Sequence, residues 1–94
     1  MKDELKNALL YGIVDRGYVQ QTEIRVVAES LIAGGADIIQ LRAKSCDEVE
    51  IESMARELLP LCRAAGVPFI VNDFPEIAAR VGADGVHIGQ DVGS

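Results

Sequence analysis

The chain is short of the residues that build metal and disulfide frameworks. Its 94 residues include two cysteines, Cys46 and Cys62, and a single histidine, His87. A structural zinc site takes about four cysteine or histidine ligands, so this composition argues against one. We expect both cysteines to be reduced thiols of a cytoplasmic protein, because disulfides are rare in that compartment.

Long apolar runs and basic clusters are also missing. No stretch approaches the roughly 18 apolar residues that span a bilayer, and the charged start Met1–Glu4 is unlike a secretory signal peptide. The net charge is −6 and no basic run occurs. Nucleic acids and anionic membranes are therefore poor partners, and we expect neither.

Apolar residues make up 49% of the chain, which is enough for one small domain over residues 1–94. Four apolar runs of strand length, 9–14, 37–42, 67–72 and 84–88, alternate with stretches of helical spacing. The first helix is predicted to be capped by Thr22 and the second to open with a capping box at Ser45 and Glu48. Pro60 should kink or divide the second helix, and Pro75 begins a third over 75–81. This β-α rhythm predicts a parallel sheet covered by helices.

Polar residues follow the end of every predicted strand. They are Asp15 and Arg16; Gln40, Arg42 and Lys44; Asn72 and Asp73; and His87, Gln90 and Asp91. Since ligands bind at the carboxyl ends of parallel strands, these residues predict one polar face there.

The stretch Ile39–Lys44 carries the clearest signal within that face. Alternation along a strand puts Gln40 and Arg42 on one side and Ile39 and Leu41 on the other. An amide followed by the cations of Arg42 and Lys44 indicates a site for a diphosphate or a similar anion. The alternative is that these charges pair with nearby carboxylates.

Carboxylates at neighbouring strand ends raise the prospect of a metal ion. Asp73 and Asp91 follow adjacent predicted strands, and Mg²⁺ favours one or two carboxylates plus phosphate oxygens. Asp73 is also placed to cap the helix that starts at Pro75, and both roles are compatible. His87 is predicted on the inner face, where three roles stay open: a hydrogen bond to a ligand, proton transfer, or a structural hydrogen bond.

Four segments together resemble the thiamin phosphate synthase family: Tyr11–Arg16, Ile39–Lys44, Phe69–Asp73 and Val81–Gln90. The resemblance implies a TIM barrel and a transferase that joins hydroxymethylpyrimidine diphosphate to thiazole phosphate, releasing diphosphate with Mg²⁺. It assigns Gln40 to the pyrimidine, and Arg42, Lys44 and Asn72 to the diphosphate. It also makes Asp73 a Mg²⁺ ligand. His87 as a substrate-binding residue and Asp91 as a second metal ligand are predicted from their positions at the end of the fourth strand and not from the resemblance. No catalytic residue is assigned.

The chain departs from that family in two ways. Val92 stands where the family has its second metal carboxylate, so that Asp91 lies one residue early, and Phe74-Pro75 replace the family's residues after Asn-Asp. A full barrel has eight βα units and about 250 residues, whereas this chain has four strands. The expected fold is a (βα)4 half-barrel with strand order 1-2-3-4, the alternative being an open doubly wound sheet. A thiazole tautomerase-like relative and a non-catalytic phosphate-binding half-barrel are the alternative functions.

A half-barrel leaves edges and a face uncovered. The first predicted strand, residues 9–14, carries no charge that would discourage pairing with another chain. The inner face would expose apolar side chains that a closed barrel buries. We therefore expect a homodimer that binds a phosphorylated small molecule.

Overall fold

Four parallel strands stand in the sheet in the order of the sequence. The structure, a computed structural model, describes residues 10–87. The strands are β1 (Tyr11–Asp15), β2 (Ile38–Arg42), β3 (Phe69–Asn72) and β4 (Gly85–His87), and every neighbouring pair is parallel. The predicted order is confirmed, and the reordered doubly wound sheet is wrong.

Three α-helices connect the strands. They are α1 (Ile24–Ala33), which follows a short 3-10 helix at Gln21–Glu23, α2 (Glu48–Ala65) and α3 (Pro75–Val81). The bounds of α3 are those predicted. Predicted strand residues 9 and 88 lie outside the described part of the chain.

Both predicted N-caps are wrong. Thr22 lies inside the 3-10 helix, and no side chain caps α1. Helix α2 is capped by Asp47 instead of Ser45: Asp47 Oδ1 accepts the Glu50 N–H at 2.8 Å, and Glu50 Oε1 accepts the Asp47 N–H at 3.1 Å. The sequence contains two overlapping capping boxes, one at Ser45 and Glu48 and one at Asp47 and Glu50. The second of these forms in the structure.

Helix α2 runs without a break through Pro60, which therefore does not divide it. The proline is exposed and lies on the side of the helix away from the core. Gly66 ends α2 with φ of 72°, a left-handed conformation that glycine adopts without a side-chain clash. The predicted stop at Gly66 is confirmed.

The core lies between the sheet and the helices. On the outer face of the sheet Val14, Ile39, Leu41, Phe69 and Val71 are buried, with exposed fractions of 0–1%. They belong to one cluster with buried helix side chains: Ile24, Ala28, Ile51, Met54, Leu58, Cys62 and Ile77. Alternation along each strand therefore sends every second side chain away from this core, onto the inner face.

Two connections use the same Gly-Ala-Asp sequence to start a strand. Asp37 donates its N–H to Leu10 O (2.7 Å) and accepts the Leu10 N–H at Oδ2 (2.8 Å). Asp84 likewise donates its N–H to Phe69 O (2.9 Å) and accepts the Phe69 N–H at Oδ2 (2.8 Å). Each aspartate thus clamps both backbone groups of one residue at the amino-terminal end of the sheet: Leu10, just before β1, and Phe69, the first residue of β3.

No helix in the described part of the chain covers the inner face of the sheet. Tyr11 and Ile13 on β1 are 50% and 46% exposed, and Ile38 and Ile70 are partly exposed. The sheet with helices on its outer face alone is an α/β half-barrel. Among residues 10–87, none of the helices combines the length and apolar character needed to cross a bilayer.

Candidate functional site

A row of polar side chains crosses the inner face near the carboxyl ends of the strands. The strand register pairs Asp15 with Arg42 and Asn72 with His87. The β2–β3 register pairs Gln40 with Ile70 and Leu41 with Val71, and one further step puts Arg42 level with Asn72. Asp15, Arg42, Asn72 and His87 therefore lie across the sheet at one height, with Gln40 one layer below.

Gln40 and Asn72 form a buried amide pair. Their exposed fractions are 7% and 6%, and Asn72 Nδ2 donates to Gln40 Oε1 at 2.8 Å. Asn72 Oδ1 is also buried and accepts no hydrogen bond in the described structure. A buried amide oxygen without a donor costs about 1–3 kcal/mol, so a ligand donor or cation beside it would be favoured.

Arg42 and Asp15 form a loose ion pair. Arg42 Nε lies 3.8 Å from Asp15 Oδ2, and the side chains are 42% and 28% exposed. Pairs with this exposure contribute about 0–1 kcal/mol. Pairing with a carboxylate, the alternative to anion binding, is therefore present but weak. Lys44 is exposed and forms no ion pair within residues 10–87.

A cavity of about 320 Å³ opens beside this pair. We call it the Arg42 cavity; it is lined by Asp15, Gly17, Tyr18, Arg42, Lys44 and Ser45. Its two cations lie on the β2 side. It has room for a small anionic group.

The loop after β1 forms the other wall of the Arg42 cavity. Asp15 Oδ1 accepts the Gly17 N–H at 2.8 Å, and Asp15 O accepts the N–H groups of Tyr18 and Val19. The Tyr18 ring is 90% exposed. Sequence reasoning did not select Gly17, Tyr18 or Ser45, although their position just after a strand end was an available signal.

Backbone strain marks the end of β3. Asp73 and Phe74 both have positive φ, 61° and 59°, which is uncommon for residues other than glycine. Such conformations cost roughly 1–3 kcal/mol each and cluster at functional sites. Phe74 holds the N-cap position of α3 and no side chain caps that helix, so the capping role considered for Asp73 is wrong.

The remaining predicted site residues are only partly described. His87 is exposed at the end of β4, and its carbonyl accepts the Asp73 N–H at 2.6 Å. Asp91 lies outside the described residues. Residues 10–87 contain no group of three or more His, Cys, Asp or Glu side chains that could hold a metal ion. The structure thus brings Asp73 close to the polar row but leaves the predicted Asp73–Asp91 pair as a prediction.

Comparison with known proteins gives one consistent match. A family model described as thiamine monophosphate synthase matches residues 10–94. The thiamine-phosphate synthase of Methylococcus capsulatus is 48% identical over 86 residues, which cover 90% of this chain and 38% of that protein. That of Marinobacter nauticus is 45% identical over 82 residues, or 87% of this chain and 37% of that protein. The chain therefore spans less than two-fifths of the length of these relatives.

Proposed function

Because this chain belongs to the thiamine monophosphate synthase family, we propose that its polar row binds hydroxymethylpyrimidine diphosphate. In the proposed reaction the bond between the pyrimidine methylene and its diphosphate oxygen breaks, and the thiazole phosphate nitrogen bonds to that carbon. Diphosphate leaves with the electron pair of the broken bond. The relatives named thiamine-phosphate synthase support this proposal.

The observation that carries the proposal is the Arg42 cavity beside the buried amide pair. Arg42 and Lys44 offer two cations to the charge that develops on the leaving diphosphate. At the same height as Arg42, Asn72 Oδ1 accepts no hydrogen bond in the described structure and can accept one from a ring amino group or a hydroxyl of the ligand. A ligand with a polar aromatic ring and a diphosphate matches both features.

We propose Mg²⁺ as the cofactor of this site. Mg²⁺ commonly uses one or two carboxylates and completes its shell with phosphate oxygens and water. Asp73 and the unpartnered Asn72 Oδ1 are oxygen donors of that kind at the end of β3. When bound, the ion would neutralise part of the diphosphate charge. His87, level with Asn72, is proposed to contact the substrate.

Titration calorimetry with hydroxymethylpyrimidine diphosphate, with and without Mg²⁺, tests this proposal. We expect Mg²⁺-dependent binding that weakens by about 1.5–3 kcal/mol in Arg42→Ala, the range for a hydrogen bond to a charged group. Arg25→Ala is the matched control, because Arg25 is an exposed arginine on α1. Equal affinity of Arg42→Ala and the wild type would remove Arg42 from the site.

A second candidate is a half-barrel that binds the diphosphate without turning it over. This candidate is favoured because the chain matches less than two-fifths of the relatives' length. Adding thiazole phosphate to the titration separates the two: product indicates the synthase, and binding without product indicates the second candidate. Conversion of a thiazole tautomer would instead indicate a thiazole tautomerase-like relative. A cytoplasmic location is also proposed, supported by the free thiols of Cys46 and Cys62.

A further inference from the structure

We propose that Asp15 is a positioning residue for Arg42. It holds the guanidinium while the Arg42 cavity is empty, and it competes with a bound diphosphate for the same guanidinium. The competition limits the affinity of the cavity for diphosphate, so that the diphosphate can leave after the reaction. This inference rests on the proposed function and deepens it, because it gives a role to a carboxylate that lines an anion site.

The carboxylate of Asp15 is held in the cavity wall. Asp15 Oδ1 accepts the Gly17 N–H at 2.8 Å. Asp15 O accepts the N–H groups of Tyr18 and Val19 at 2.8 Å and 2.9 Å. These bonds tie both ends of the residue to the loop after β1, and Oδ2 is the oxygen that lies near Arg42. The carboxylate is therefore not free to turn away when an anion enters the cavity.

The guanidinium of Arg42 is held less firmly than that carboxylate. Its Nε lies 3.8 Å from Asp15 Oδ2, which is too long for a hydrogen bond, and the side chain is 42% exposed. The backbone beneath it is fixed, because Arg42 O accepts the Arg16 N–H at 2.8 Å. The long side chain can therefore turn from Asp15 to a bound anion while the strand ends stay in place.

The charges around the cavity make Asp15 a competitor of the anion. Arg42 and Lys44 contribute positive charge to the lining, and Asp15 contributes negative charge. Lys44 forms no ion pair within residues 10–87, so an anion can reach it without displacing a carboxylate. Asp15 attracts Arg42 and repels a phosphate group in the same cavity. Without Asp15 both cations would be fully available to the diphosphate, also after it has left the substrate.

The alternative is that Asp15 only shapes the loop after β1. The hydrogen bond from the Gly17 N–H needs an oxygen acceptor but no negative charge. Asparagine supplies that oxygen from its side-chain amide. Asp15→Asn therefore removes the charge and keeps the acceptor for the loop. A loop role predicts no change in anion affinity, whereas competition for Arg42 predicts tighter binding.

Titration calorimetry with inorganic diphosphate and Mg²⁺ separates these two roles. We expect Asp15→Asn to bind at least threefold more tightly than the wild type. Glu29→Gln is the matched control: it removes the same charge from an exposed position on α1, and its affinity should stay within twofold of the wild type. An affinity of Asp15→Asn that is weaker, or within threefold of the wild type, would overturn the proposal. So would an equal gain in Glu29→Gln, or no measurable binding by any of the proteins.

A double-mutant cycle tests whether Asp15 acts through Arg42. In an Arg42→Ala background, Asp15→Asn should raise the affinity for inorganic diphosphate by a smaller factor than in the wild type, because the guanidinium that it releases is absent. Equal factors in both backgrounds would show that Asp15 acts on the anion by its charge alone, and would overturn the positioning role.

The Nε–H signal of Arg42 in a nitrogen-15 NMR spectrum gives a readout without calorimetry. The signal is assigned by its absence in Arg42→Ala. It should shift when inorganic diphosphate is added to the wild type, and it should also shift in Asp15→Asn before any anion is added. A signal that is the same in Asp15→Asn and the wild type would show that Asp15 does not hold the guanidinium.

Failure of this inference and failure of the proposed function give different results. Inorganic diphosphate has no pyrimidine and tests the Arg42 cavity alone. If Asp15→Asn tightens its binding but hydroxymethylpyrimidine diphosphate does not bind, the inference stands and the proposed function fails. If hydroxymethylpyrimidine diphosphate binds through Arg42 and Asp15→Asn leaves the affinity for inorganic diphosphate unchanged, the proposed function stands and the inference fails.

Discussion

Cys62 shows what burial does to one titratable group. Its side chain has no exposed surface. Burial raises the pKa of the Cys62 thiol to about 11, and the negative charge of Asp84 acts in the same direction. The thiol is therefore neutral at ordinary pH and packs as a small apolar side chain.

This pKa predicts a loss of stability at alkaline pH. Above about pH 9 the unfolded chain releases the Cys62 proton, whereas the folded chain retains it up to about pH 11. The unfolding free energy should therefore fall by about 2–3 kcal/mol across that window, at 1.36 kcal/mol per unit. Urea unfolding at pH 8, 9.5 and 11 measures it. Cys62→Ala should lack this component, and Cys46→Ala, at a half-buried cysteine, should keep it. Parallel curves for wild type and Cys62→Ala would contradict the prediction.

At the scale of elements, the two aspartate clamps hold the amino-terminal ends of the strands. Asp84 binds the backbone of Phe69, whose hydrogen bond is partly buried, and Asp37 binds that of Leu10, which is exposed. The third connection has Pro68 at the equivalent place, and its carbonyl accepts the Ile39 N–H at 3.0 Å. The clamps thus join β1 to β2 and β3 to β4.

The difference in burial predicts unequal costs. Asp84→Ala should lower the unfolding free energy by about 1–3 kcal/mol, because it leaves the Phe69 N–H without its acceptor. Asp37→Ala should cost less, since water can reach the Leu10 N–H. Asp84→Asn keeps an oxygen acceptor and is the conservative control. Equal losses in Asp84→Ala and Asp37→Ala, measured by urea unfolding, would show that burial does not set the cost.

Strands and helix stops could be predicted from the sequence because their causes are local. A run such as Phe69–Val71 is apolar since its outer side packs on helices, and Gly66 and Gly82 end helices with φ of 72° and 81°. The N-cap of α2 could not be predicted from the sequence, because Ser45 and Asp47 each begin a valid capping box. The box that forms is the one in which Asp47 accepts the Glu50 N–H.

Some features of the candidate site could likewise be predicted from the sequence, and others could not. Strand alternation correctly put Gln40 and Arg42 on the inner side of β2, because burial of Ile39 and Leu41 fixes the other side. The Gln40–Asn72 hydrogen bond needed the register between β2 and β3, which the sequence of either strand does not contain. The loop wall with Tyr18 was missed because backbone hydrogen bonds to Asp15 shape it.

At the scale of the whole molecule, charge and apolar surface act in opposite directions on self-association. Each copy carries a net charge of −6, so two copies repel each other at long range. Tyr11 and Ile13 on the inner face are 50% and 46% exposed, so a homodimer that covers them would bury apolar surface. Salt screens the repulsion, since the Debye length falls from about 10 Å at 0.1 M to about 3 Å at 1 M. Added salt does not weaken apolar burial in the same way.

Added salt should therefore tighten a homodimer that forms through Tyr11 and Ile13. We expect the dissociation constant from sedimentation equilibrium to fall between 0.05 M and 0.5 M NaCl, in the wild type and in Val26→Lys. Val26 is 63% exposed on α1, and a lysine there changes the net charge of each copy from −6 to −5, so the salt response of this variant should be smaller. An interface held by ion pairs would respond in the opposite way, because screening weakens attraction between opposite charges. A dissociation constant that rises with salt would thus assign the contact to charged surface residues and exclude the apolar inner face.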